Sequence, residues 1–164
     1  MLFDIANMPP DIKLCKILTA DKIKQKSTKV DPSTKPSEAL INTCWKMIKA
    51  CLEDEGIGLA APQIGVFKQV FVIKETENSF RVYFNPRYSV DVSSKTELGI
   101  EGCLSVPGKR LLVSRSTAIC AEWLEFGAQG VLVPRTELLE GFKARVYQHE
   151  WDHLAGFSIL DKVK

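Results

Sequence analysis

Apolar residues recur at Leu40, Ile41, Cys44, Met47, Ile48, Cys51 and Leu52. This i, i+4, i+7, i+8, i+11 spacing places them on one face of an amphipathic helix. Residues 32–37 read as a loop, with Ser37 as the N-cap. The helix is predicted to stop within 52–55. There Glu53, Asp54 and Glu55 oppose the C-terminal dipole, and Gly56 follows as the natural cap. Beyond it the pattern shortens. Strands are predicted at 69–74, 81–85, 111–114, 117–124 and 129–133, with a hairpin turn over 125–128 containing Gly127. A second helix is predicted from about 140 to 156. No internal repeat, low-complexity run or linker interrupts the chain, so 1–164 reads as one domain.

Composition narrows the picture. A chain of 164 residues with 45% hydrophobic positions can bury a core of its own. The net charge of +2 announces no nucleic-acid partner, and DNA is not expected. No apolar run approaches a membrane span, and Met1-Leu2-Phe3-Asp4 does not begin a signal peptide. Five cysteines, an odd number without an export signal, fit a reducing cytoplasm. Lysines gather at 13, 16, 22, 24, 26, 29 and 35, but Asp11, Asp21 and Asp31 dilute them. A solvated face is the expected reading, ahead of a surface for ribosomal RNA.

The chemistry is concentrated at Gln148-His149-Glu150-Trp151-Asp152-His153, which contains H-E-x-x-H and both histidines of the chain. On a helix, i and i+4 share a face, so two imidazoles reach one metal and the adjacent glutamate can handle a proton. A catalytic site usually takes three protein ligands. Downstream of His153 the only candidate is Asp161, so a cysteine thiolate upstream is the better donor. Cys44 and Cys51 belong to the helical core pattern, Cys120 to a strand, and Cys15 to an undistinguished N-terminal stretch. Cys103 lies in Glu101-Gly102-Cys103-Leu104-Ser105-Val106-Pro107-Gly108, which reads as a loop, and is the expected third ligand. H-E-x-x-H alone would equally suit a zinc metallopeptidase of another type. A closed, four-ligand structural site would have no use for Glu150.

Three segments together resemble the peptide deformylases. They are Gly56-Ile57-Gly58-Leu59-Ala60-Ala61-Pro62-Gln63, Glu101-Gly102-Cys103-Leu104-Ser105 and Gln148-His149-Glu150-Trp151-Asp152-His153-Leu154. The likeness covers about 40–161 and is loose over the first thirty residues. It implies hydrolysis of the formyl group from N-formylmethionine on new polypeptides, releasing formate. It implies Cys103, His149 and His153 as ligands to one divalent ion, with iron(II) favoured and zinc, nickel or cobalt possible. Glu150 would be the acid–base group, and Gln63 with the Leu104 N–H would stabilise the oxyanion. Gly58 would pair with the substrate backbone, Arg110 would contact it, and Ile57, Phe142 and Val146 would line the methionine pocket. Read without the resemblance, Gln63 is a polar loop residue, and Phe142 and Val146 are core positions. Glu101 and Arg115 are expected to pair behind the cysteine. The implied fold is α+β: short, mostly antiparallel strands around a central metal-binding helix, with an N-terminal helix covering one side. Only eleven residues follow His153, which resembles compact members that lack a C-terminal helix. Ribosome contact is accordingly expected to be weak, and the enzyme is expected to be a monomer of a bacterial-type or phage-infected cytoplasm.

Overall fold

A computed structural model describes residues 2–163. Ten main elements follow one another. They are β1 (Leu2–Asp4), α1 (Glu38–Glu53), β2 (Gly58–Ala60), β3 (Val70–Thr76), β4 (Ser79–Val90), β5 (Thr96–Cys103), β6 (Val106–Ser116), β7 (Ala118–Phe126), β8 (Leu132–Glu140) and α2 (Gly141–Leu154). One sheet has the order β2-β3-β4-β7-β8, with β1 also on β4. The second sheet is the β5–β6 hairpin alone. Every pairing between named strands is antiparallel.

The large sheet is buried on both faces. Val70, Val72, Phe80, Val82 and Phe84 pack with Cys44, Met47, Ile48 and Cys51 of α1. The alternate residues Phe71 and Tyr83 pack with Ala144, Tyr147 and Leu154 of α2. Strand side chains alternate between faces, so a strand covered on both sides reads as an unbroken apolar run, as Val70-Phe71-Val72 does. The α+β arrangement with α1 as a cover is therefore as expected. The strands are not all short: β4 has 12 residues and β6 has 11.

Several boundaries differ from expectation. Ser37 Oγ does accept from Leu40 N at 3.2 Å, so the helix start is as read. Its end is not capped by Gly56. The left-handed residue is Glu55, with φ 53°. Gly56 N donates to Cys51 O at 2.7 Å and Glu55 N to Leu52 O at 3.2 Å, the paired bonds of a Schellman closure. Gly56 serves packing instead: a Cβ there would lie 2.9 Å from Leu104 Cδ1 and 3.0 Å from Cys51 Sγ. The expected turn over 125–128 is still strand β7 to Phe126, and the chain reverses later, where Gly127 N donates to Val131 O. The expected strand 129–133 accordingly begins at Leu132 and runs to Glu140. The Cys103 segment is not a loop, because Cys103 ends β5 and only Leu104 and Ser105 turn before β6.

Candidate active site

The buried face of α2 is unusually polar. Gln148, Glu150, Asp152 and His153 are all under 5% exposed. Buried polar groups are normally satisfied by partners, and here the partners of Gln148, Asp152 and His153 define a site. His149 Nδ1–H donates to Glu101 Oε1 at 2.8 Å, and His153 Nδ1–H donates to the Phe157 carbonyl at 2.9 Å. Both rings therefore turn Nε2 inward.

The two Nε2 atoms lie 3.2 Å apart, and Cys103 Sγ lies 3.5 Å from that of His153. All three donor atoms fall within 4.8 Å of one another. An ion about 2.0 Å from nitrogen and about 2.3 Å from sulfur, at tetrahedral angles, would set these edges at about 3.3 and 3.6 Å. The donor set thus fits a single metal ion. The electrostatics of the two imidazoles are coupled. Burial opposes charge on His149, but its Cys103 and Glu101 partners push its pKa up to about 10. Burial and the neighbouring His149 hold His153 well below the usual imidazole range. Without an ion the pair carries one positive charge, on His149, and a metal ion would displace that proton.

Behind the donors is a charge network. Arg115 donates to both oxygens of Glu101 at 2.9 Å and also reaches Asp152. The expected Glu101–Arg115 pair is present, and both side chains are nearly buried. Burial alone would raise the Glu101 carboxyl, but hydrogen bonds from His149 and Arg115 hold it down to about 2. Asp152 also receives Lys162 at 3.6 Å.

Glu150 sits beside the donors with 3% exposure, and burial pushes its carboxyl up to about 7. Its Oε2 has no hydrogen-bond partner among the described residues. A Cβ on Gly58 would lie 2.6 Å from Glu150 Oε1, so the missing side chain makes room for this carboxyl. Gln63 is anchored through Oε1, which accepts from Ala60 N at 2.9 Å. Its Nε2 donates to Ser105 Oγ at 3.0 Å and lies 3.8 Å from Cys103 Sγ. The three sequence segments, far apart in the chain, therefore meet.

A cavity of about 790 Å³ opens over them. Ile57, Gly58, Gln63, Cys103, Leu104, Arg110, Phe142, Val146, His149 and Glu150 all line it. The lining also includes Arg145, which the sequence did not single out. Asp152, Ser105 and the Phe157 carbonyl were likewise missed. The other cysteines stay apart. Cys44 and Cys51 are fully buried on α1, and burial pushes the Cys51 thiol up to about 12. The seven N-terminal lysines are all exposed.

The sequence model of the polypeptide deformylase family matches residues 14–164, reaching further upstream than residue 40. The peptide deformylase of Thermotoga neapolitana is 38% identical over 144 residues, covering 88% of this chain and 83% of the relative. Among solved structures, the peptide deformylase of Thermotoga maritima superposes with a TM-score of 0.78 at 35% identity, covering 93% of this chain and 99% of that one. A class I type b peptide deformylase from Acinetobacter baumannii, bound to Met-Ala-Ser, gives 0.79 at 30% identity, covering 92% and 99%.

Proposed function

Because the chain belongs to the polypeptide deformylase family, we propose a division of labour among the residues of this cavity. The reaction is hydrolysis of the formamide on N-formylmethionine peptides. Water adds at the formyl carbon, the carbon–nitrogen bond breaks, and formate and a free amino terminus leave. The observation that carries the assignment is the convergence of Cys103, His149 and His153 beside the unpartnered Glu150 Oε2.

Cys103 Sγ and the Nε2 atoms of His149 and His153 would hold one divalent ion. When bound, such an ion supplies Lewis acidity, the means of acidifying water near neutral pH. A thiolate with two imidazoles accepts iron, zinc, cobalt or nickel. We take iron(II) as the native metal on the family resemblance. Glu150 is poised between protonation states near pH 7. Its Oε2 takes the proton of the attacking water and delivers it to the departing amine nitrogen. Gln63 Nε2 and the Leu104 N–H donate to the oxygen that gains charge at the formyl carbon.

Substrate is held along β2. That strand is an edge of the large sheet, so an extended peptide can add beside Gly58 through its backbone. Ile57, Phe142 and Val146 receive the methionine side chain, and Arg110 contacts the peptide beyond it. The Met-Ala-Ser bound to the Acinetobacter relative has the expected head residue, which supports this placement. We further take the chain to be a single cytoplasmic domain, monomeric, meeting the ribosome only weakly. No helix among the described residues is long and apolar enough to cross a membrane.

The test uses formyl-Met-Ala-Ser and anaerobically prepared protein. Formate should appear in step with new amino termini, with one metal per chain. Glu150→Gln should keep the metal and lose about 10²–10⁴-fold in kcat. Cleavage of internal peptide bonds without formate would reassign the chain to another metallopeptidase class.

A further inference from the structure

Gly99 stands in the interior of β5, where glycine is disfavoured and usually marks the close approach of another group. A Cβ at position 99 would lie 2.6 Å from Arg145 Cζ and 2.8 Å from its Nη2. The guanidinium of this α2 residue is therefore laid against bare strand backbone. Arg145 Nη1 donates to Glu101 Oε2 at 2.7 Å and to Val113 O at 3.0 Å, and Nη2 donates to Glu97 O at 2.9 Å. These acceptors lie on both strands of the hairpin. Arg115 spans the same joint in reverse, from β6 to Glu101 on β5 and Asp152 on α2. The two arginines meet at Glu101.

Besides the arginines, the joint carries the His149–Glu101 bond and the two bonds of Gln148 with the Ser116 backbone, none of which reaches Gly99 of β5. The β5–β6 sheet shares no ladder with the large sheet. Gly99, Glu101 and Cys103 occupy alternate positions of β5 and so share one of its faces. Cys103 is thus on one side of the joint, while His149 and His153 are on the other. A metal site tolerates errors of only about 0.2 Å in its bonds, so the joint must be held closely. A guanidinium fork that binds one carboxylate and two carbonyls holds both strands at once, which an ammonium cannot. Arg145 is no ordinary surface ion pair, since its side chain is only 15% exposed.

We propose that Arg145 is a positioning residue: it clamps the β5–β6 hairpin onto α2 and so sets where Cys103 stands relative to His149 and His153, with Gly99 as the gap that admits it. This rests on the metal-site reading above. It goes beyond that reading by adding a residue of the cavity wall that is neither a metal ligand nor an acid–base group, and a glycine that admits it.

The test is anaerobic titration of the metal-free protein with cobalt(II), read by the thiolate-to-cobalt charge-transfer band, alongside circular dichroism. Arg145→Ala and Gly99→Ala should each weaken cobalt affinity about tenfold, the lower end for losing a group behind a ligand. The double variant should be no weaker than Arg145→Ala, because the alanine methyl at position 99 acts only by displacing the guanidinium. Arg145→Lys should not restore affinity. Alanine in a strand is intrinsically better than glycine, so weakening by Gly99→Ala would run against the backbone trend. Should Arg145→Ala fail to fold, unchanged cobalt affinity in Gly99→Ala still overturns the proposal. Additive losses in the double variant, or full rescue by lysine, also overturn it. If wild-type protein binds cobalt without a thiolate band, the cysteine ligand itself is misassigned, a failure distinct from that of the clamp.

Discussion

Gln63 uses its amide at both ends. With Oε1 committed to Ala60 N, Nε2 is the end left facing Ser105 and Cys103. Gln63→Leu keeps most of the volume and removes the donor. It should lower kcat by about 10²–10³-fold, the usual scale for one oxyanion donor. KM should change little, since charge builds on the oxygen mainly in the transition state. Steady-state kinetics on metal-matched protein decide this, and a pure KM effect would make Gln63 a ground-state binding group. At this scale the sequence was informative where chemistry has a fixed spacing. His149, Glu150 and His153 follow from helix geometry, and Cys103 from the need for a third donor. Arg145 and Asp152 were not found, because a buried ion pair joins residues at no fixed separation. Gly99 was the available signal, a glycine inside a strand that the pattern had not marked as one.

The helices were legible because their burial follows one period over many residues. β5 was not, because its pattern is inverted. Leu98 and Ile100 point outward, at 59% and 61% exposure, while Glu101 points inward at 7%. Reading apolar as inside fails for such a strand. β1 and β2, at three residues each, are too short to show alternation. The end of α1 carries a separate lesson. Glycine was expected in the left-handed position, yet Glu55 occupies it. A side chain in that conformation costs about 1–2 kcal/mol, partly offset by the chain entropy that glycine would lose. Glu55→Gly should therefore stabilise the protein by about 0.5–1 kcal/mol, helped by removing an anion from the helix C-terminus. Urea unfolding measures it, and a net loss would mean that Glu55 has a compensating partner.

The whole molecule is two bodies joined at a charged seam: the helix-covered sheet with α2, and the β5–β6 hairpin. Arg115 contacts both. Arg115→Gln should cost about 3–5 kcal/mol at pH 7, the scale for stranding buried partners. The pH dependence follows from Glu101, held down to about 2 from an ordinary 4.5. A depressed carboxyl contributes stability that is complete above the unfolded value and is lost as pH falls through the folded one. The gap between wild type and Arg115→Gln should therefore narrow as pH falls from 4.5 towards 2. Urea unfolding of chelator-treated protein reads this directly. A gap constant across that window would show that charge is not what the seam contributes.

Because Cys103 and His153 are fifty residues apart, the seam also sets an order in time. Hairpin and helix can each form locally, but the donor set exists only once they have docked. Contacts that close after the folding barrier slow unfolding rather than speed folding. An ion held by all three donors should therefore act as a latch, slowing unfolding while leaving the speed of folding almost untouched, as refolding and unfolding rates with and without metal would show.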